Sequence, residues 1–273
     1  MVVLRRFPDA IAKFLARATL GAALALGAGG ARADCDGARE DVALAGLTDA
    51  FEFKLEDGRI VRLAGIEGPS AQRAEAPTLA KAREVWGALA EEGEALFTPL
   101  AAKPDRWGRW IGNLHFIDDP QKSFAIALLT AGAARVRPEF ETRACANERL
   151  AAEATALAGG LGLWADPDYG VRVGDDPAGL EGDDGRFIVA EGVLRRVGAG
   201  RSRLYLDFGS RRDLSAIASF KEETAFLRAG VKLRDLKGAR VRVRGVLDLR
   251  YAPRIELTDP STLQVIQARG APQ

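Results

Sequence analysis

Apolar and polar residues alternate from Phe51 to Leu63. Phe51, Phe53 and Leu55 are separated by Glu52 and Lys54, the dipeptide Asp57-Gly58 interrupts the run, and Ile60, Val61 and Leu63 resume it. A period of two on either side of an Asp-Gly turn predicts a β-hairpin. From Ala76 to Phe97 the period changes: Leu79, Ala82, Val85, Trp86 and Leu89 recur at the spacing of one helical face, which predicts a helix. Strand signals return over Trp110–Ile117, helix signals over Phe124–Ala131, and Glu148–Leu161 reads as a last helix closed by glycines. Hairpins with interposed helices predict a small β-barrel of mixed α+β type.

Turn and linker residues then dominate from Asp166 to Gly185, with little apolar content. Beyond them Phe187–Leu194, Leu204–Phe208, Ala239–Leu247, Ile255, Leu257 and Leu263–Ile266 carry strand signals, and Leu214–Ala229 contains a helix. This half predicts a second small barrel, similar to oligonucleotide-binding folds in architecture alone. The expected organisation is a processing segment at 1–33, a first domain at 34–168, a linker at 169–184 and a β-rich domain at 185–267.

The processing segment is read from its charge and apolar runs. Arg5, Arg6, Lys13 and Arg17 precede the apolar run Ala18–Gly30, and Ala31, Arg32, Ala33 form a small-x-small cleavage pattern. The exported chain is expected to start near Asp34, to be periplasmic or secreted, and to keep no membrane span. Cys35 and Cys145 are the only cysteines. In an oxidising compartment they read as one disulfide, with two unpaired thiols as the alternative. The single histidine, His115, lies inside an apolar strand, so a packed ring is expected there and a zinc site is not.

Composition, 47% hydrophobic and 28% charged, is that of a globular protein and argues against disorder. Charge is uneven: from Gly185 onward there are 18 basic and 9 acidic residues, whereas the chain between the cleavage point and Gly185 is acidic. In the basic half Arg240, Arg242 and Arg244 alternate with Val241 and Val243, which places the three arginines on one strand face. Such a ladder suits a nucleic-acid or polyanion groove, and suits equally a solvated face or one docked on the acidic first half.

Two segments of the first domain carry the candidate chemistry: Val61, Arg62, Leu63, Ala64, Gly65, Ile66, Glu67, Gly68, Pro69, and Asp105, Arg106, Trp107, Gly108, Arg109. A guanidinium is a fixed fork of donors that stays charged at working pH. Two of them converging can clamp a phosphate and stabilise the added charge of its transition state. Taken singly, each arginine also reads as an ion-pair partner on a strand surface.

Five patterns follow in order from Leu44 to Asp166: the Asp57-Gly58 turn, the Val61–Pro69 segment, Asp105–Arg109, the run Leu128, Leu129, Gly132, Ala134, Val136, and the helix Ala151-Ala152-Glu153-Ala154 ending at Gly162, Leu163, Trp164. With them the segment resembles the thermonuclease family, the staphylococcal-nuclease-like domain. The resemblance implies a five-stranded oligonucleotide-binding (OB-type) barrel with three helices. The expected fold class is therefore α+β and β-rich, this barrel being followed by the second small β-barrel-like domain.

The resemblance also implies phosphodiester hydrolysis of nucleic acid. In that family calcium held by acidic residues polarises the phosphate, two arginines stabilise the transition state, and a glutamate orients or deprotonates the attacking water. Arg62 and Arg109 match the two arginines, Asp49 and Glu67 match metal ligands, and Trp107 keeps an aromatic beside Arg109. Other positions depart from the pattern. Phe51 stands where a second ligand aspartate is expected, Ser70 replaces the glutamate base, and Pro138 and Phe140 replace a phenolic pair. Glu52 and Glu75 are the nearest carboxylates for compensation. Loss of a general base lowers rate on the order of 10² to 10⁴. Two expectations follow: a weak, metal-dependent nuclease with an incomplete calcium site, or a non-catalytic module of the cell envelope that binds DNA, RNA, another polyanion or a partner protein through the barrel, Arg240, Arg242 and Arg244.

Overall fold

The computed structural model of the chain describes residues 37–73 and 75–268. The export segment and Cys35 lie outside the described residues, and so does the expected Cys35–Cys145 bridge. The first strands are β1 (Glu40–Leu47), β2 (Phe53–Leu55), β3 (Ile60–Leu63), β4 (Ile66–Glu67), β5 (Glu94–Pro99) and β6 (Arg109–His115). All but β4 close into a barrel in the order β1-β2-β3-β6-β5, and β4 pairs with β7 (Arg135–Val136). Period-two alternation fills the barrel: Phe53, Leu55, Val61, Leu63 and Phe97 are buried, while Lys54 is exposed and Arg62 half-buried. The Asp57-Gly58 turn forms as expected, with Gly58 at φ 87° and its N–H donating to the Leu55 carbonyl at 3.0 Å.

Among the described residues four α-helices accompany the sheets: α1 (Ala80–Ala90), α2 (Phe124–Thr130), α3 (Ala146–Ala158) and α4 (Phe220–Arg228). The helical pattern extended to Phe97 on sequence grounds is corrected. It stops at Ala90, Gly93 turns the chain at φ 79°, and Ala95 and Phe97 point inward from β5. Strand β1 carried no signal strong enough to predict it, because alanines and a glycine dilute its alternation. It is fixed by pairing on both edges, with β2 and β5.

The second half forms β8 (Arg172–Val173), β9 (Phe187–Val193), β10 (Arg196–Ala199), β11 (Arg203–Asp207), β12 (Ser215–Ser219), β13 (Arg240–Asp248), β14 (Arg254–Glu256) and β15 (Leu263–Gln267). Their order is β10-β11-β12-β14-β13-β9-β8, with β15 on β13. This is an open sheet, which corrects the expected second barrel. The linker residues Arg172 and Val173 add β8 to the outer edge of β9, and β10 pairs with β11 alone. Its core, around Phe208, Phe226, Val241 and Val243, is separate from that of the barrel around Phe53, Phe97, Phe124 and Leu128.

Ion pairs join the two halves, Arg143 with Asp259 and, fully buried, Arg244 with Glu153, and both halves belong to one compact unit, Ala33–Gln273. Arg244 on β13 is fully buried; its Nη1 donates to Glu153 Oε2 on α3 at 2.9 Å and to the Val136 carbonyl at 3.1 Å, and its Nη2 donates to Gln264 Oε1 at 2.8 Å. Glu153 Oε1 accepts the Val136 N–H at 2.6 Å. Burial pushes the Arg244 guanidinium below its ordinary pKa, and Glu153 opposes that shift. Removing one partner strands the other charge in a dry seam. Arg244→Ala or Glu153→Ala is expected to lose about 3–5 kcal/mol of unfolding free energy, and Arg244→Met with Glu153→Leu to lose less than either. Urea unfolding of the three variants checks this; single variants that lose less than about 1 kcal/mol would contradict it.

Candidate functional site

Parallel pairing of β3 with β6 sets Ile60 opposite Arg109 and Arg62 opposite Ile111. Arg62 and Arg109 therefore share one face, with Val61 and Leu63 turned into the core. Both line a cleft of about 710 Å³ at the barrel wall, together with Arg135, Arg137 and Arg186. Against these five arginines the lining carries three carboxylates, Glu52, Glu67 and Asp168, and Glu139, Asp105 and Asp183 pair with Arg62, Arg109 and Arg186 from outside the lining.

Each guanidinium is held by a carboxylate. Arg62 Nη1 lies 2.8 Å from Glu139 Oε1, and Glu139 Oε2 accepts the Gly65 N–H at 3.0 Å. Gly65 sits at φ 69°, and a Cβ there would meet Arg149 Nη1 at 1.8 Å, so the turn that brings Glu139 to Arg62 requires glycine. Arg109 donates from Nη1 to Glu52 Oε1 at 2.8 Å, and from Nε and Nη2 to Asp105 Oδ2 at 2.9 and 2.8 Å. Arg135 is buried on β7, opposite Glu67 on β4; its Nη2 reaches Glu67 Oε2 at 2.6 Å, while Arg137 Nη1 is 3.3 Å from Glu67 Oε1. The Arg135 Nε is buried with no acceptor among the described residues.

The expected metal ligands are not brought together. Glu67 lines the cleft but gives both oxygens to arginines, and Asp49 is exposed in the turn ahead of β2. Phe51 adopts a left-handed φ of 58°, and its ring packs edge-on against Trp86 at 5.8 Å. Among the described residues no group of three or more His, Cys, Asp or Glu is placed to hold a metal ion. The donor set therefore does not fit calcium: the second ligand position implied by the resemblance is a phenyl ring, Asp49 is not among the residues that line the cleft, and Glu67 is neutralised by Arg135 and Arg137. Ser70 is exposed at the cleft edge, and its backbone N–H donates to the Tyr169 hydroxyl at 2.7 Å.

The arginine ladder is divided in space. Arg240 and Arg242 share Glu191, at 2.7 and 2.8 Å, which sits opposite Arg242 across the β9–β13 pairing. Arg244, fully buried, is removed from any solvent-facing ladder, because Glu153 of the acidic first half draws it into the seam. Trp107 is 63% exposed, its ring 4.8 Å from the Arg109 guanidinium. His115 is buried, in keeping with a packed ring.

Sequence reasoning missed Arg135, Arg137, Arg186 and Glu139. The alternation Arg135-Val136-Arg137 is a usable signal, equivalent to that of Arg240, Arg242 and Arg244; Arg186 lies in a stretch dominated by turn residues. No protein-family model matches the chain, and no curated protein is significantly similar to it. Among the described residues no helix is long and apolar enough to cross a membrane.

The Asp105 carboxyl reports on this site. Burial alone would raise its pKa, but hydrogen bonds from the Arg109 side chain and from the Arg109 and Trp107 N–H groups outweigh it and hold the carboxyl at about 2. A folded pKa below the unfolded one stabilises the ionised fold at higher pH. Wild-type protein is expected to be more stable than Asp105→Asn at neutral pH, with the gap closing as pH falls from about 4 to about 2. Thermal melts of the pair across that range check it; a gap independent of pH would contradict it.

Proposed function

We propose that the chain binds a phosphate-bearing polyanion, nucleic acid foremost, in the arginine cleft of the barrel and hydrolyses it weakly or not at all. The observation that carries this reading is the convergence of Arg62 and Arg109 with Arg137 and Arg186 on one cleft. Ser70 and Phe51 occupy the positions where water activation and metal binding are expected. The closed five-stranded barrel is compatible with an OB-type fold, and the resemblance to the thermonuclease family supplies an ancestry in phosphodiester chemistry. Retained guanidiniums bind and orient phosphate. A serine without a neighbouring base does not deprotonate water near neutral pH.

The carboxylates of the cleft have two effects. Glu139, Glu52 and Asp105 fix the guanidiniums in place, which lowers the ordering cost when a ligand arrives. They also compete with it, so a phosphate must displace or share Glu139 to take the Arg62 Nη1 donor. A slow hydrolase is the second reading, and Glu52 favours it: it is a half-buried carboxylate in the cleft beside Arg109, a group of the type that acts as a base. The export segment expected at 1–33 supports a periplasmic or secreted location for this activity.

Incubation with single- and double-stranded DNA and RNA, in calcium and in chelator, tests the reading. The expected result is salt-sensitive retention without cleavage. Arg62→Ala and Arg109→Ala should each weaken retention about 10-fold. Metal-dependent cleavage that vanishes in both arginine variants would replace binding with hydrolysis. Glu139→Gln is expected to tighten retention, because the amide oxygen still accepts the Gly65 N–H while the charge competing for Arg62 is gone; unchanged or weaker binding would contradict the competition.

A further inference from the structure

The arginine cleft does not end at the barrel. Arg137, Gly185, Phe187 and Val246 on its wall also line a second cavity, of about 570 Å³, that runs over β9 and β13. We infer that the two cavities form one groove for a single strand of nucleic acid, leading from Trp107 on the barrel past Phe187 to Tyr251 beyond the end of β13; this rests on the phosphate-binding reading of the cleft.

Charge along the second cavity is compatible with phosphates although carboxylates line it. Asp248 is clamped by Arg250 and Arg254 at 2.8 and 2.6 Å, and Glu256 pairs with Arg203 at 3.1 Å. Asp184 accepts the Leu249 N–H at 2.8 Å. In the lining itself three guanidiniums, Arg137, Arg244 and Arg250, stand against these three carboxylates, and Arg254 adds a further guanidinium on Asp248. Beyond the barrel each lining carboxylate is thus engaged by a donor, where bare aspartates would repel a phosphate backbone.

Aromatic residues supply the second element. Tyr251 is 83% exposed, next to the lining residue Arg250. Trp107, Phe187 and Tyr251 each have a guanidinium close to the ring: Arg109 at 4.8 Å, Arg137 at 5.4 Å and Arg254 at 5.7 Å. Aromatic platforms set along an arginine-rich groove are what unpaired bases stack upon. Bases inside a duplex are already stacked and present only their edges. The arrangement selects a single strand, and without base-edge recognition it selects by length more than by sequence.

Fluorescence anisotropy of the full chain with labelled oligothymidylates separates this inference from the reading beneath it. A dinucleotide occupies the barrel cleft alone, whereas a strand of about 12 nucleotides, within the usual span of such sites, covers both cavities. The longer strand is expected to bind at least about 10-fold tighter, and Tyr251→Ala and Arg250→Ala to weaken it on the order of 10-fold while leaving the dinucleotide unchanged. Both side chains are exposed, so the variants should fold, and circular dichroism verifies it. Arg62→Ala should weaken both probes. Equal affinity for the long strand, its duplex and heparin, or no effect of Tyr251→Ala and Arg250→Ala, would overturn the single-strand groove. Dinucleotide binding that is indifferent to Arg62→Ala would overturn the cleft reading and the inference together.

Discussion

A single buried ion pair sets the frame for everything else in this molecule. Placing Arg244 and Glu153 out of water costs several kcal/mol for each charge, and the cost is offset only if geometry and hydrogen bonding are nearly complete. Here the Arg244 Nη atoms reach Glu153, the Val136 carbonyl and Gln264, and Glu153 in turn takes the Val136 N–H. The pair thus grips the backbone of β7 from both sides. Strand β7 carries Arg135, and Arg137 follows it directly. The anchor of the seam and the wall of the cleft are one short segment, and the second sheet has to be docked for that wall to stand where it does.

The same logic governs the cleft at a shallower depth. Guanidiniums in partly desolvated surroundings need acceptors, and the chain supplies them internally: Glu139 for Arg62, Glu52 and Asp105 for Arg109, and Glu67 for Arg135 and Arg137. A carboxylate that neutralises an arginine is no longer free to gather a divalent cation. What remains is a set of oriented, charged donors with modest internal competition, which suits reversible binding of phosphate. Hydrolysis asks for a base and an electrophile in the same space, and Ser70 and Phe51 provide neither.

Much of the barrel was legible in the sequence because its signals are local. The Phe53–Leu55 and Ile60–Leu63 alternation, the Asp57-Gly58 turn and the helical faces of α2 and α3 depend on a few neighbouring residues. Strand β1 and the end of α1 were not legible. Alanine and glycine weaken the alternation in the first case, and in the second the helical face runs on toward a strand that only long-range pairing defines. The open second sheet escaped prediction for a similar reason, since two linker residues complete its edge.

In the site, residue types were read more securely than their partners. Arg62 and Arg109 are legible from the strand segments that carry them, but Glu139 meets Arg62 across a gap of many residues that no local pattern spans. The three ladder arginines share a face, as alternation requires, yet they divide between solvent and seam. Which of them is buried depends on where Glu153 lies in three dimensions, and a strand pattern holds no information on that. Arg135 and Arg137 show the converse: the alternation was present and its meaning emerged only when β7 was seen beside β4.

The most direct test is a crystal structure of the chain with a bound single-stranded oligonucleotide, grown in the presence of calcium. The expected structure holds an intact strand with a phosphate between Arg62 and Arg109, the Glu139 contact to Arg62 shared or displaced, and Glu67 still paired with Arg135 and Arg137. A calcium ion on Glu67 with those arginines turned away and the strand cut, or phosphates seated elsewhere with the Arg62–Glu139 pair undisturbed, would contradict it.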